Sequence, residues 1–187
     1  MLSPRVELAI TTMLEAHGLG RRKAGLNFEA THVLAVGIIV RDHGFDEDAV
    51  IGGILHDTLE DTELHRDVIR ERFGTHVLAM VEDVTEPPRR IPWRDRKETY
   101  IARLRASPRD ASRAVASADK IHNLSSMTAG LDTQGRKFAD VFTAGLDDMV
   151  WYQQTVHRML TDVWRHPILD EHGRRLERFL AATEAAR

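Results

Sequence analysis

The chain has 187 residues, 42% of them hydrophobic, a formal net charge of −3 and no cysteine. This length and apolar content suit one domain with a substantial core, and the mild negative charge argues against a general nucleic-acid coat protein. Without cysteine there is no disulfide framework, no thiolate metal site and no cysteine nucleophile, so any metal must be held by nitrogen and oxygen.

Apolar spacing of three and four recurs along the chain, with Gly or Pro between the periodic segments, which predicts a nearly all-helical protein. A first helix is expected from Ser3 to His17 with Pro4 in its first turn, and a second from about Asn27 to His43, closed by Gly44. The third starts at Asp46, passes through the apolar run Ala49 to Leu55 and ends in the acidic cluster up to Asp61. A short helix from Thr62 to Phe73 stops at Gly74, and another runs from Thr75 to about Glu86, where Pro87, Pro88 and Pro92 impose a loop. Helices resume from Trp93 to Ala106, from Ser107 to about Ala129, and from Arg136 to His166 before Pro167. An amphipathic tail covers Leu169 to Ala186. The expectation is an all-α bundle of about eight helices in a single domain spanning 1–187, with a C-terminal helix at about 168–187 that can form an appendage. The N-terminus lacks a signal-peptide arrangement, and the longest apolar runs fall far short of a membrane span, so a cytoplasmic location with no membrane association is expected.

The stretch His56 to Asp61 puts one imidazole and three carboxylates directly after a strongly apolar segment. On a helical wheel of about 100° per residue, Asp57 and Asp61 share the sector of Val50 and Ile54, and His56 and Glu60 stack on the adjoining flank. Buried carboxylates without partners neutralise, so a group of them calls for a cation. His32 shares a face with Phe28, Val36 and Ile39, and Asp119 follows Val115 by one turn in a small-residue run, so both should point inward. Together His32, His56, Asp57 and Asp119 supply two imidazoles and two carboxylates from three helices. That set suits Mn²⁺ or Fe²⁺, with Zn²⁺ also admissible, and leaves positions for water and substrate. Glu60 and Asp61 are surplus to coordination and stand one turn from ligands, where a general acid or base belongs; the plainer reading is support of His56 or a salt bridge to an arginine. Two basic groups, Arg21 to Lys23 and the set Arg89, Arg90, Arg94, Arg96 and Lys97, are either solvated faces or contacts for a phosphorylated substrate.

The pattern of His32, His56-Asp57 and Asp119 resembles the HD-domain metal-dependent phosphohydrolases. The strings RRKAGLNFEATH, HDTLEDT and ADKIHNL narrow the resemblance to the hydrolase domain of RelA/SpoT-type enzymes, and more closely to the small stand-alone alarmone hydrolases, which remove the 3′-pyrophosphate of guanosine tetra- and pentaphosphate, (p)ppGpp. FGTHVLAMVEDVTE and RDRKETYIARL also fit, so the similarity runs in order over about residues 13 to 130 and more loosely to about 160. It implies an all-helical HD-domain fold and one Mn²⁺ on His32, His56, Asp57 and Asp119, with Fe²⁺, Co²⁺ or Zn²⁺ as alternatives. It also implies Glu60 and Asp61 activating the attacking water, Asn123 next to the metal, Arg22 and Lys23 at the nucleoside pocket, and Lys97 facing the substrate phosphates. No synthetase-like stretch follows, so the expectation is degradation to GDP or GTP and pyrophosphate. The chain departs from its relatives at Asn27-Phe28, at Val33, and at Gly145 to Asp148, where relatives carry an arginine ahead of the aromatic pair Trp151-Tyr152.

Two other readings share these residues: an HD-type hydrolase of another phosphorylated nucleotide, such as an NADPH phosphatase, and a non-catalytic nucleotide sensor. The Glu60-Asp61 pair argues against the sensor, which needs no acid and base beside a metal. The expected partner is a small-molecule nucleotide, with no nucleic acid, and the amphipathic tail with Trp93, Trp151 and Trp164 leaves room for a homodimer.

Overall fold

The computed structural model describes residues 2–22, 27–142 and 144–187. Among these residues the chain is helical, with a single isolated bridge between Arg21 and Phe28 as its one extended pairing. The helices are α1 (Pro4–His17), α2 (Glu29–Asp42), α3 (Glu47–Leu55), α4 (Thr58–Asp61), α5 (Arg66–Val84), α6 (Trp93–Ala106), α7 (Asp110–Gln134), α8 (Arg136–Ala139), α9 (Leu146–Val163) and α10 (Ile168–Ala185). Eight of them are long and α4 and α8 are single turns, which matches the expected all-α bundle. Local chemistry explains most starts and stops. Ser3 and Asp46 accept hydrogen bonds from the amides of Val6 and Ala49 and so cap α1 and α3, and Gly74, at φ +92°, divides α5 into the two expected segments.

Three elements differ from the sequence reading. The third helix does not run on into the acids: it stops at Leu55, His56 and Asp57 form a turn, and Thr58 to Asp61 wind a separate turn. A wheel drawn through the whole stretch therefore misplaces the acidic side chains. The expected helix from Arg136 to His166 is also broken, into α8 and α9, with Gly145 in extended conformation before α9. Conversely, α7 continues past Ala129 through Gly130. A Cβ at Gly130 would lie 2.3 Å from the Phe138 ring, so the glycine leaves the space in which α8 folds back onto α7.

The site is positioned by a close crossing of α2 and α3. A Cβ at Gly53 would sit 3.2 Å from the Gly37 Cα, and one at Gly37 would sit 2.7 Å from Ile54 Cγ1, so the two backbones approach as only glycine permits. α7 lies across both, and the main hydrophobic cluster gathers Val36, Ile51, Leu55, Met80, Val115 and Ile121 behind the crossing. A second cluster around Leu124, Phe138, Met149 and Phe179 forms where α8, α9 and α10 meet α7. Asp83 anchors the α6–α7 corner. It accepts from Ser107, Ser112 and Arg109, a buried carboxylate with its hydrogen-bonding capacity met.

Candidate metal centre

His32 from α2, His56 from the turn after α3 and Asp119 from α7 are buried, at 2%, 3% and 8% exposure, and their donor atoms lie within 4.8 Å of one another. His32 Nε2 is 3.2 Å from Asp119 Oδ1, and His56 Nε2 is 3.8 Å from the same oxygen. Asp57 closes the group, with Oδ1 3.1 Å from His56 Nε2 and Oδ2 3.5 Å from His32 Nε2. From the turn at His56-Asp57, two adjacent residues reach the same cluster.

The electrostatics are those of a cation site. Burial alone would push Asp119 up, but Lys120 and the two imidazoles outweigh it and hold the carboxyl well below the usual range. Asp57 is lowered against its burial by His56 and His32. Burial works against a charged His56, yet Asp57 and Asp119 raise it well above the ordinary imidazole value. His56 Nδ1–H donates to the Gly53 carbonyl at 2.8 Å, which leaves Nε2 buried, aimed at the carboxylates and without a hydrogen-bond partner. With Nδ1 held by a carbonyl, an imidazole Nε2 facing two carboxylates is a position where a divalent ion of intermediate hardness can replace a proton.

Around the cluster opens a cleft of about 1240 Å³ that follows α7. Glu60 and Asp61 both line it. Glu60 Oε2 accepts from the Glu86 amide at 3.0 Å, and burial, with Glu86 and Asp57 nearby, pushes its carboxyl up to about 7. Asp61 is ion-paired with Arg89, and burial with Asp57 raises its carboxyl despite that partner. Asn123 donates to Asp119 Oδ1 and accepts from Arg22 Nη2 at 2.6 Å, which ties the rim to the cluster. Lys97 pairs with the buried Glu86 carboxylate and stands 4.5 Å from the Tyr152 ring centre. Lys23 lies outside the described residues. Ahead of the aromatic pair Trp151-Tyr152, Asp147 meets Arg187 at 2.6 Å.

Three residues of this neighbourhood had no role in the sequence reading. Lys120 holds Asp119 Oδ2 at 2.5 Å, His122 Nδ1 meets His32 Nδ1 at 2.9 Å, and Glu86 gathers Arg96, Lys97 and Glu60. Only His122 left a usable signal, three residues after Asp119 on the same helical face.

A family profile described as "HD domain" matches residues 9–144. Over 151 residues the chain is 29% identical to a guanosine-3′,5′-bis(diphosphate) 3′-pyrophosphohydrolase of Aquifex aeolicus, an alignment covering 80% of this chain and 20% of that protein. The chain thus spans about a fifth or less of the length of the curated relatives it matches. A crystal structure from Listeria monocytogenes superposes with a TM-score of 0.70 at 31% identity, covering 83% of this chain and 97% of that one. A metazoan ortholog of SpoT, reported to hydrolyze ppGpp, shares the fold with a TM-score of 0.76 at 21% identity over 94% of this chain and 97% of its own. Among the described residues no helix is long and apolar enough to cross a membrane. The buried His32, His56 and Asp119 form a group of donors that could hold a divalent metal ion, and the chain belongs to the HD-domain family.

Proposed function

We propose that the chain is a Mn²⁺-dependent phosphohydrolase that removes the 3′-pyrophosphate of (p)ppGpp, giving GDP or GTP and pyrophosphate. The observation that carries this reading is the convergence of four nitrogen and oxygen donors at the floor of a cleft that also holds Glu60. The substrate comes from the similarity to relatives named for that activity, among them the Aquifex protein.

His32 and His56 through Nε2, with carboxylate oxygens of Asp57 and Asp119, are the groups that would hold the ion. When bound, a divalent ion supplies Lewis acidity, polarising a phosphoryl oxygen and acidifying water. Glu60 takes the proton of the attacking water; a carboxyl at about 7, pinned by the Glu86 amide, can accept and return a proton at neutral pH. The water oxygen joins the pyrophosphate phosphorus, the bond from that phosphorus to the ribose 3′-oxygen breaks, and the proton passes to the 3′-oxygen. Asp61 has its carboxylate committed to Arg89, so Glu60 is the proton carrier. Lys97 offsets phosphate charge from one side of the cluster, Arg22 and Lys23 bind the nucleoside side, and Asn123, which donates to Asp119, stands next to the metal.

The test is product analysis by anion exchange after chelator-stripped, Mn²⁺-reloaded protein has been incubated with ppGpp and, in parallel, NADPH. GDP plus pyrophosphate should form only with metal present. Asp119→Ala should lose both metal and turnover, whereas Glu60→Ala should retain metal and lose roughly 10²-fold or more in kcat. A metal-loaded protein that leaves ppGpp intact would sink the substrate assignment.

A further inference from the structure

Glu86 stands at the end of α5, just before Pro87 and Pro88, and its side chain is only 8% exposed on the wall of the cleft. Its two carboxylate oxygens are divided between two cations of α6. Oε2 accepts from Arg96 Nη1 at 2.7 Å, and Oε1 accepts from Lys97 Nζ. All three side chains line the cleft. Two oxygens on one centre, each facing a different cation, is the arrangement that two oxygens of a phosphate would also adopt. The cations have donors to spare. Arg96 Nε is buried without a hydrogen-bond partner, and Lys97 carries three hydrogens, of which Glu86 Oε1 accepts one. Lys97 Nζ also lies 4.5 Å from the Tyr152 ring centre and 5.5 Å from that of Trp93, so Glu86 is not its sole support.

We propose that Glu86 is a positioning residue that acts through Lys97: its carboxylate holds the ammonium in the empty cleft, yields it to a phosphate of the incoming nucleotide while staying on Arg96, and reclaims it as pyrophosphate leaves. The inference rests on the functional reading's assignment of Lys97 to the substrate phosphates. Its physical reason is competition between anions for one cation. A carboxylate already seated on Lys97 offsets part of the field that draws a phosphate in, and its hydrogen bond must break before the phosphate reaches the ammonium. The exchange leaves no charge stranded. Glu86 uses a different oxygen for each cation, so the bond to Arg96 persists when the bond to Lys97 opens. Without that competitor Arg96 and Lys97 would present two unopposed positive charges, and the pyrophosphate released by hydrolysis would be held too tightly to leave quickly.

The experiment uses the full chain, loaded with Mn²⁺ and freed of excess metal, titrated calorimetrically with inorganic pyrophosphate. Glu86→Gln, which keeps the shape and the backbone amide but removes the charge, should bind pyrophosphate about 10- to 30-fold more tightly than the parent. Lys97→Met should bind it more weakly, and adding Glu86→Gln to Lys97→Met should change the affinity by no more than about threefold, because the cation under competition is gone. A Glu86 that merely supports the loop would give no such dependence on Lys97. Thermal midpoints show whether the variants fold. If Glu86→Gln does not, Glu86→Asp, whose shorter side chain cannot reach both cations, carries the test: tighter pyrophosphate is expected, and equal or weaker binding overturns the proposal. Unchanged or weaker binding by folded Glu86→Gln, or an equal gain with and without Lys97, would also overturn it. A parent chain that binds no pyrophosphate would overturn it while turnover of ppGpp still upheld the functional reading. Protein that binds pyrophosphate as described yet leaves ppGpp intact would overturn the functional reading's substrate alone.

Discussion

Glu60 sits under three influences that act in one direction: burial, the Glu86 carboxylate and the Asp57 carboxylate all favour its neutral form, and the hydrogen bond from the Glu86 amide only partly opposes them. The folded, metal-free protein therefore keeps this proton up to about pH 7, while the unfolded chain releases it near the ordinary value of 4.5. Between those values the native state binds more protons than the unfolded state, so stability from this group is complete below about 4.5 and is lost as pH rises through about 7. Glu60→Gln removes the titration. In stripped protein its stability relative to the parent should rise by about 1–3 kcal/mol on going from pH 5 to pH 8, measured by urea unfolding. A constant difference across that range would show that Glu60 titrates normally. The same carboxylate that raises Glu60 also neutralises Lys97 and Arg96, so Glu86→Gln should lower the pH at which Glu60 ionises and leave both cations with one charge fewer to face.

At the scale of elements, two adjacent glycines of α3 should respond in opposite ways. A Cβ at Gly52 meets Met80 at 3.6 Å or more, an ordinary contact, so Gly52→Ala should be neutral or stabilise by up to about 1 kcal/mol through helix propensity. A Cβ at Gly53 meets the α2 backbone at 3.2 Å, which cannot give way as a side chain can. Gly53→Ala should cost about 1–3 kcal/mol and, because it pushes α2 from α3, separate His32 from His56 and weaken metal binding. Paired calorimetry and thermal melts check this; equal behaviour of the two variants would mean that the crossing does not set the site. The same elements show what the sequence could reveal. Helices capped by Ser3 and Asp46, those ended at Gly44 and Gly74, and the one that starts after Pro92 were legible because their signals are local. The turn at His56-Asp57 carries no Gly or Pro, and Gly130 looks like a helix end until Phe138 is seen occupying its missing side chain, so neither could be read without the tertiary packing. Acids and histidines in apolar stripes drew notice to the four donor candidates, whereas Lys120 and Glu86 act through partners that no periodicity places beside them.

For the whole molecule, the cluster makes stability depend jointly on pH and metal. His56 is raised well above 6.5 by Asp57 and Asp119 against the effect of burial, so its contribution to the stripped fold is present below the ordinary imidazole value and is lost as pH rises through the higher folded value. Glu60 changes in the same direction over its own window, whereas the depressed carboxyls of Asp57 and Asp119 are already ionised throughout the neutral range. The stripped protein should therefore weaken steadily from pH 6 to pH 8. A divalent ion takes the place of the His56 proton, so it binds more tightly as that proton becomes easier to remove, and its stabilisation grows over the same interval. At a free concentration of about 100 times Kd the ion adds about 2.7 kcal/mol, or roughly 5–10 °C in Tm for a chain of this size. The difference in Tm between loaded and stripped protein should accordingly be larger at pH 8 than at pH 6 at fixed free Mn²⁺, and His56→Gln should abolish most of it. A difference that shrinks with rising pH would mean that binding displaces no proton from His56, and that the raised imidazole is a feature of the fold instead of the counterpart of the metal.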